Sequence, residues 1–219
     1  MLALGMIAAL AMPGTAQATP QLGDLGVKQS MSVKASNGES LEGKDLRAIQ
    51  LATYTAASVD GNTIVGYDLT TNTALASDIT AAAKAAGATD TNLTVNGKND
   101  PMVWVVKNLT DSRSDPWSGK LRNFCNSLAK QTNFAKQDGT AVSTLSQDKA
   151  TMSTGNVLVP GIYAIVDRTP ATTTLSSGTA IKTTASIMMM NGTAVNGVNQ
   201  LRTAGGTTLT LGQVIYKVS

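Results

Sequence analysis

The sequence predicts a mainly β protein: an antiparallel β-sandwich interrupted by a helical insertion. Three observations point that way. Asn-Gly or Asp-Gly pairs recur at Asn37, Asp60, Asn96, Asp138, Asn191 and Asn196, and such pairs favour the tight turns that join antiparallel strands. Apolar and polar residues alternate on both sides of the middle third of the chain, as half-buried strands require. Between them, residues 74–133 change to a helical texture with their own start and stop signals.

The elements follow in order. Residues 1–18 read as an export signal. The apolar run 1–11 is followed by the breaker Pro13-Gly14 and an Ala16-Gln17-Ala18 cleavage site, so the mature chain is expected to begin near Thr19. That run is too short to span a membrane, and no span is expected once it is removed. Residues 19–29 carry little pattern and read as a loose leader. A single domain is expected over 30–219. Its first strand is Ser30-Met31-Ser32-Val33-Lys34-Ala35, where alternation turns Met31, Val33 and Ala35 inward and Lys34 outward. Residues 46–54 form a second strand, and Asp60-Gly61 turns the chain into a third over 63–67.

In the insertion, an Ala-rich helix over 74–86 stops at Gly87, because glycine adopts the left-handed conformation that terminates helices. Asp100-Pro101 and Asp115-Pro116 each place a capping side chain before a proline suited to the first helical turn. The second of these helices sets Leu121, Phe124, Cys125 and Leu128 on one apolar face. Strands are then expected over 141–145, 161–167, 182–190 and 209–217, about seven in all.

The composition excludes several function classes. Charged residues make up 14% of the 219, and the surface is instead rich in Thr, Ser, Asn and Gly. The net charge of +3 is scattered, with no basic cluster interleaved with aromatics, so nucleic acid is not an expected partner. The chain has no histidine, and no set of Cys, Asp, Glu or Ser is spaced like an active site or metal site. No enzyme activity, cofactor or metal is expected. Cys125 is the one cysteine; it can form no intrachain disulfide and reads as a small buried hydrophobe. Asn92, Asn108 and Asn191 head Asn-x-Thr triplets, which chance supplies in so Asn- and Thr-rich a chain.

A set of motifs then gives a resemblance. Met31-Ser-Val-Lys34-Ala35, Leu41 to Leu51, Pro160-Gly-Ile-Tyr163-Ala-Ile-Val-Asp167, Ala185-Ser-Ile-Met-Met-Met190 and Leu211-Gly-Gln-Val-Ile-Tyr216-Lys217 follow one another along most of the mature chain. Together they resemble the N-terminal domain of Gram-positive, sortase-assembled fimbrial (pilin) subunits of the isopeptide-forming class. The resemblance implies an Ig-like sandwich and, in many members, a Lys–Asn isopeptide bond assisted by an acid. It matches Lys34 to the reacting lysine and Asp167 to the acid. The residues themselves oppose that bond, because 209–217 contains no Asn and strand parity turns Lys34 to solvent, leaving Lys34 solvated and Asp167 at a loop end. The resemblance further implies Lys217 as the sortase acceptor, although the proline of the family's Tyr-Pro-Lys context is missing.

The function implied is structural and adhesive: a secreted domain of a cell-wall fimbria on the bacterial surface, with other pilin subunits and sortase as partners. The alternative is a tip domain binding a host glycan or matrix protein, with Tyr54, Tyr67, Trp104 or Trp117 as stacking platforms. Both tryptophans open apolar helical faces, which favours core packing for them.

Overall fold

The β10 strand, Gly161–Asp167, is buried along its whole length, and the fold is arranged to cover both its faces. The computed structural model of the chain describes residues 19–95, 97–109, 119–170, 172–174, 177–178, 180–182, 189–203 and 205–216. In chain order the strands are β1 (Gln21–Leu22), β2 (Ser32–Ala35), β3 (Leu46–Asp60), β4 (Thr63–Thr71), β5 (Thr94–Val95), β6 (Lys98–Asn99), β7 (Thr140–Val142), β8 (Thr144–Leu145) and β9 (Thr151–Ser153), then β10. After it come β11 (Thr172–Thr174), β12 (Ala180–Lys182), β13 (Met189–Gly192), β14 (Gln200–Arg202), β15 (Thr208–Thr210) and β16 (Gln213–Tyr216). The helices are α1 (Ala76–Ala85), α2 (Pro101–Asn108), α3 (Lys120–Ala129) and α4 (Thr132–Ala135). The chain is mainly β, as its alternation and turn signals predict.

The larger sheet has eight strands in the order β13-β10-β3-β4-β14-β15, with β1 and β7 also paired to β3. A second sheet runs β16-β2-β9-β8. Strand parity divides β10 between two cores. Ile162, Ala164 and Val166 join Ile49 and Leu51 of β3 beneath the helices, packed with Ile79, Met102, Trp104, Phe124, Cys125, Leu128 and Phe134. Tyr163 and Ile165 join Leu46 and Ala48 in a second cluster with Val33, Met152, Val214 and Tyr216 of the four-stranded sheet. The two sheets therefore face each other across this second cluster, and the helices cover the opposite face of the larger sheet. The expectation of helices at an end or flank is corrected accordingly: an apolar run on both faces of β10 needs a lid on each. Burying a side chain such as Phe124 or Leu128 contributes about 1.5–3 kcal/mol.

Asp78 on α1, itself buried, fastens the helical layer. Its Oδ2 accepts from the Phe134 amide at 2.8 Å and its Oδ1 from Asn133 Nδ2 at 3.0 Å, holding the start of α4. The expected N-cap at Asp100 works differently. Its Oδ1 accepts from the Thr71 amide and hydroxyl, and the Thr71 oxygen in turn accepts from the Met102 amide at 3.0 Å. Thr71 of β4 thus caps α2.

Several strand boundaries differ from expectation. The second strand continues to Asp60, where Gly61 at φ +57° turns it directly into β4. The leader is not loose throughout: Gln21 and Leu22 pair with Val59 and Ser58, and Gln29 bridges Leu158. Asn191-Gly192 is not a turn but part of β13, paired with Tyr163 and Ile162. The span 141–145 breaks at Ser143, because β7 pairs with β3 and β8 with β9 of the other sheet. The span 209–217 breaks likewise at Gly212, whose φ of +77° lets the chain leave β15 and enter β16. There the Gly212 amide donates to Gly192 at 2.7 Å and its carbonyl accepts from Ser32 at 2.8 Å. Two pairings are parallel, β16 with β2 and β14 with β4. Of the expected strand 182–190, residues 183–188 lie outside the described residues, as do Asn96 and the Asp115-Pro116 start.

Gly161 is the position with least room. A Cβ there would stand 2.1 Å from the Ala52 carbonyl oxygen, where β3 and β10 approach at a register shift between Ile162 and Tyr163. Gly161→Ala is therefore expected to destabilise the chain by about 1–3 kcal/mol through forced backbone displacement. Urea unfolding measures it, and an unchanged midpoint would contradict the tight approach.

Candidate functional site

The carboxylate of Asp167 lies deep in the structure, its side chain at 0% exposure. As the last residue of β10 it shares the parity of Tyr163 and Ile165, which directs it between the sheets. Two other elements converge on it. Lys44 lies two residues before Leu46, an inward residue of β3, and its side chain is 5% exposed. Tyr216 ends β16 and is also buried. Lys44 Nζ stands 3.5 Å from Asp167 Oδ2, and the Tyr216 hydroxyl donates to the same oxygen. Asp167 Oδ1 accepts from the Thr169 amide at 2.8 Å. The ammonium also lies 5.4 Å from the Tyr216 ring centroid, within cation–π range.

The chain after β10 locks this geometry. The Arg168 amide donates to the Asp45 carbonyl at 2.7 Å, and the Asp45 amide to Thr169 Oγ1 at 2.9 Å. The segment before β3 and the segment after β10 are thereby pinned together, with Lys44 and Asp167 on their inner side. Burial, with the hydrogen bond to Asp167 and its negative charge, raises the Tyr216 phenol above its ordinary value. The hydroxyl therefore remains a donor to the carboxylate at neutral pH. The arrangement is a three-element clamp, joining a loop, a central strand and the closing strand through one oxygen.

Asp167, expected at a loop end, is consequently the buried and partnered last residue of a strand. Lys34 is exposed on β2, as parity predicts, while Met31, Val33 and Ala35 are buried at 0%, 0% and 3%. Lys34 is not brought to Asp167; Lys44 is. Lys217 lies outside the described residues. The stacking platforms do not assemble on a surface: Tyr54 and Trp104 are buried, Tyr54 packs against Tyr67 at 5.0 Å, and Trp117 lies outside the described residues. Cys125 is buried in the helical core. Among the described residues no group of three or more His, Cys, Asp or Glu could hold a metal ion. No helix among them is long and apolar enough to cross a membrane.

No protein family model, no curated protein and no solved structure matches this chain.

Removing one partner of a buried ion pair costs about 3–5 kcal/mol, while replacing the pair by apolar residues costs little. Asp167→Ala is expected to fall in that range, and Asp167→Leu with Lys44→Met to recover most of the loss. Equilibrium denaturation of the three proteins tests this, and a loss below about 1 kcal/mol for Asp167→Ala would remove the clamp from consideration.

Alkaline pH gives an independent measurement. Burial raises all four tyrosines, Tyr54, Tyr67, Tyr163 and Tyr216, with Tyr163 pushed up to about 12. The folded chain thus favours the neutral phenols more than the unfolded chain does, where they titrate near 10.0. Their contribution is complete below pH about 10 and is lost progressively above it, over a window that for Tyr163 ends at about 12. The thermal midpoint should fall across that window, with phenolate absorbance appearing together with unfolding. Phenolate appearing at pH 10 in a still-folded chain would contradict it.

Proposed function

We propose that this chain is a structural and adhesive domain of a bacterial surface fimbria, exported and assembled with other pilin subunits, and that it catalyses no reaction. On this reading the two facing sheets are an Ig-like sandwich with a helical layer added to one of them. The observation that carries the proposal is the closure of the domain. β2 and β16 lie side by side and parallel, from Ser32 opposite Gln213 to Ala35 opposite Tyr216. Tension that enters before β2 and leaves after β16 loads such a pair in shear, so its hydrogen bonds must fail together rather than one at a time. Tyr216, at the loaded end, is also pinned across to the other sheet through Asp167. A domain with this closure suits a fibre whose subunits are joined end to end.

The ordered motifs of the sequence support the same reading. Asp167, matched to the family's acid, is buried between the sheets. A covalent cross-link of the family's type would have the Lys44 amine, which faces Asp167, attack an Asn side-chain amide and release ammonia, and would not use Lys34. Lys217 directly follows the loaded strand and is the residue at which sortase would join the next subunit. The chain's place is then the cell wall surface.

Single-molecule pulling tests the reading. Handles at the two ends of the mature chain should give a higher unfolding force than handles at Ala52 and Thr71, which face each other at the open end of the β3–β4 hairpin and peel it one pair at a time. Tyr216→Phe should lower the end-to-end force. Equal forces in the two geometries would reject the load-bearing role. The intact mass of the same sample reports any cross-link: a deficit of one ammonia, abolished by Lys44→Ala but not by Lys34→Ala, would identify Lys44 as the reacting amine.

A further inference from the structure

A cavity of about 310 Å³ opens beside β3 where its partner changes from β7 to β4. Its walls are Ala48, Ile49 and Gln50 of β3, Asn72, Gln137, Gly139 and Thr140, and Val157 to Val159, with Tyr163 behind. Four properties define what it can hold. First, the lining contains no charged side chain. A carboxylate, phosphate or ammonium ligand would lose its hydration there with no counter-charge to replace it.

Second, the Gln50 amide nitrogen is buried and has no hydrogen-bond partner among the described residues. An unsatisfied buried donor costs about 1–3 kcal/mol and calls for an acceptor. Gln50 is opposite Tyr163 on the face between the sheets, where register fixes it. Other amides of the lining are committed: Asn72 Nδ2 donates to the Gln50 carbonyl and Asn72 Oδ1 accepts from Ala74, while Gln137 Nε2 donates to Asn133. Among the side-chain amides of the lining, Gln50 Nε2 is the one left to a guest.

Third, the rim is apolar. Val157 and Val159 are 55% and 36% exposed, two of the few large hydrophobic side chains on the surface, and they flank the opening. Fourth, the volume is at the low end of ligand pockets, roughly 300–1,000 Å³, which suits one pyranose ring with its substituents.

A neutral ligand that joins a hydrogen-bond acceptor to a small apolar group, and carries hydroxyls that both donate and accept, meets all four. We propose that this cavity binds a neutral N-acylated hexosamine, its acyl carbonyl accepting from Gln50 Nε2, its methyl against Val157 and Val159, and a ring hydroxyl on Thr140. The site goes beyond the load-bearing reading and does not depend on it.

NMR titration of the ¹⁵N-labelled mature chain tests the proposal. N-acetylglucosamine or N-acetylgalactosamine should shift the Gln50 side-chain amide and the amides of Thr140 and Val157 to Val159, with a Kd on the order of 1 mM. Glucose, which lacks the acyl group, and N-acetylneuraminic acid, which carries a charge, should bind at least about tenfold more weakly. Gln50→Leu should weaken binding by at least about tenfold while leaving the thermal midpoint unchanged or raised, because it deletes an unsatisfied donor. Thr140→Val should weaken it by a smaller factor without affecting the fold. Absence of shifts at tens of millimolar sugar would overturn the assignment. So would equal binding of glucose, preference for a blocked dipeptide amide over both sugars, or binding unaltered in both variants.

Discussion

A strand buried on both faces can lend no polar surface to water, so every hydrogen-bonding group on it must find a protein partner. β10 is such a strand, and its ladder with β3 is the constraint from which the other layers follow. Its backbone is satisfied by β3 on one side and β13 on the other. One set of its side chains demands the helices, the other demands the four-stranded sheet. The helical segment is therefore the lid of one face of the sheet. The one charge on this strand, Asp167, is tolerable because Lys44, Tyr216 and the Thr169 amide surround its oxygens.

The same constraint explains two close approaches. Gly161 lets β3 and β10 meet at the entrance to the ladder, and Gly192 accommodates the Tyr54 hydroxyl, which would stand 2.1 Å from a Cβ. Neither glycine serves a turn. Each marks a place where a side chain would separate layers whose spacing the cores have already set.

Much of the architecture was legible in the sequence because it is local. Alternation placed Met31, Val33 and Ala35 inside and Lys34 outside; helical spacing placed Phe124, Cys125 and Leu128 in a core; Asp60-Gly61 marked its hairpin. What was not legible depends on pairing over long separations. The breaks at Ser143 and Gly212 arise because the chain changes sheets there, and nothing in the spans 141–145 or 209–217 reports which sheet a residue joins. Lys44 was missed for a related reason. It sits in the polar run Glu42-Gly43-Lys44-Asp45, which reads as a solvated turn, and its partner is 123 residues away. The available signal was its parity with Leu46, two residues on. Gln50 is similar: a polar residue in a strand reads as surface until its register opposite Tyr163 turns it inward.

The parallel pair that closes the domain joins residues 32–35 to residues 213–216, nearly the whole chain apart. Bringing such distant segments together must be preceded by the entropy loss of closing that loop, so native pairing of this kind forms late and slowly, on the millisecond-to-second scale of β topologies. Met31, just before β2, and Val33 within it have no cover from β16 until residue 216 is available. A chain lengthening from its N-terminus thus cannot complete its second core early. Until its last strand arrives the face between the sheets stays open, and the domain has one core closed and one waiting.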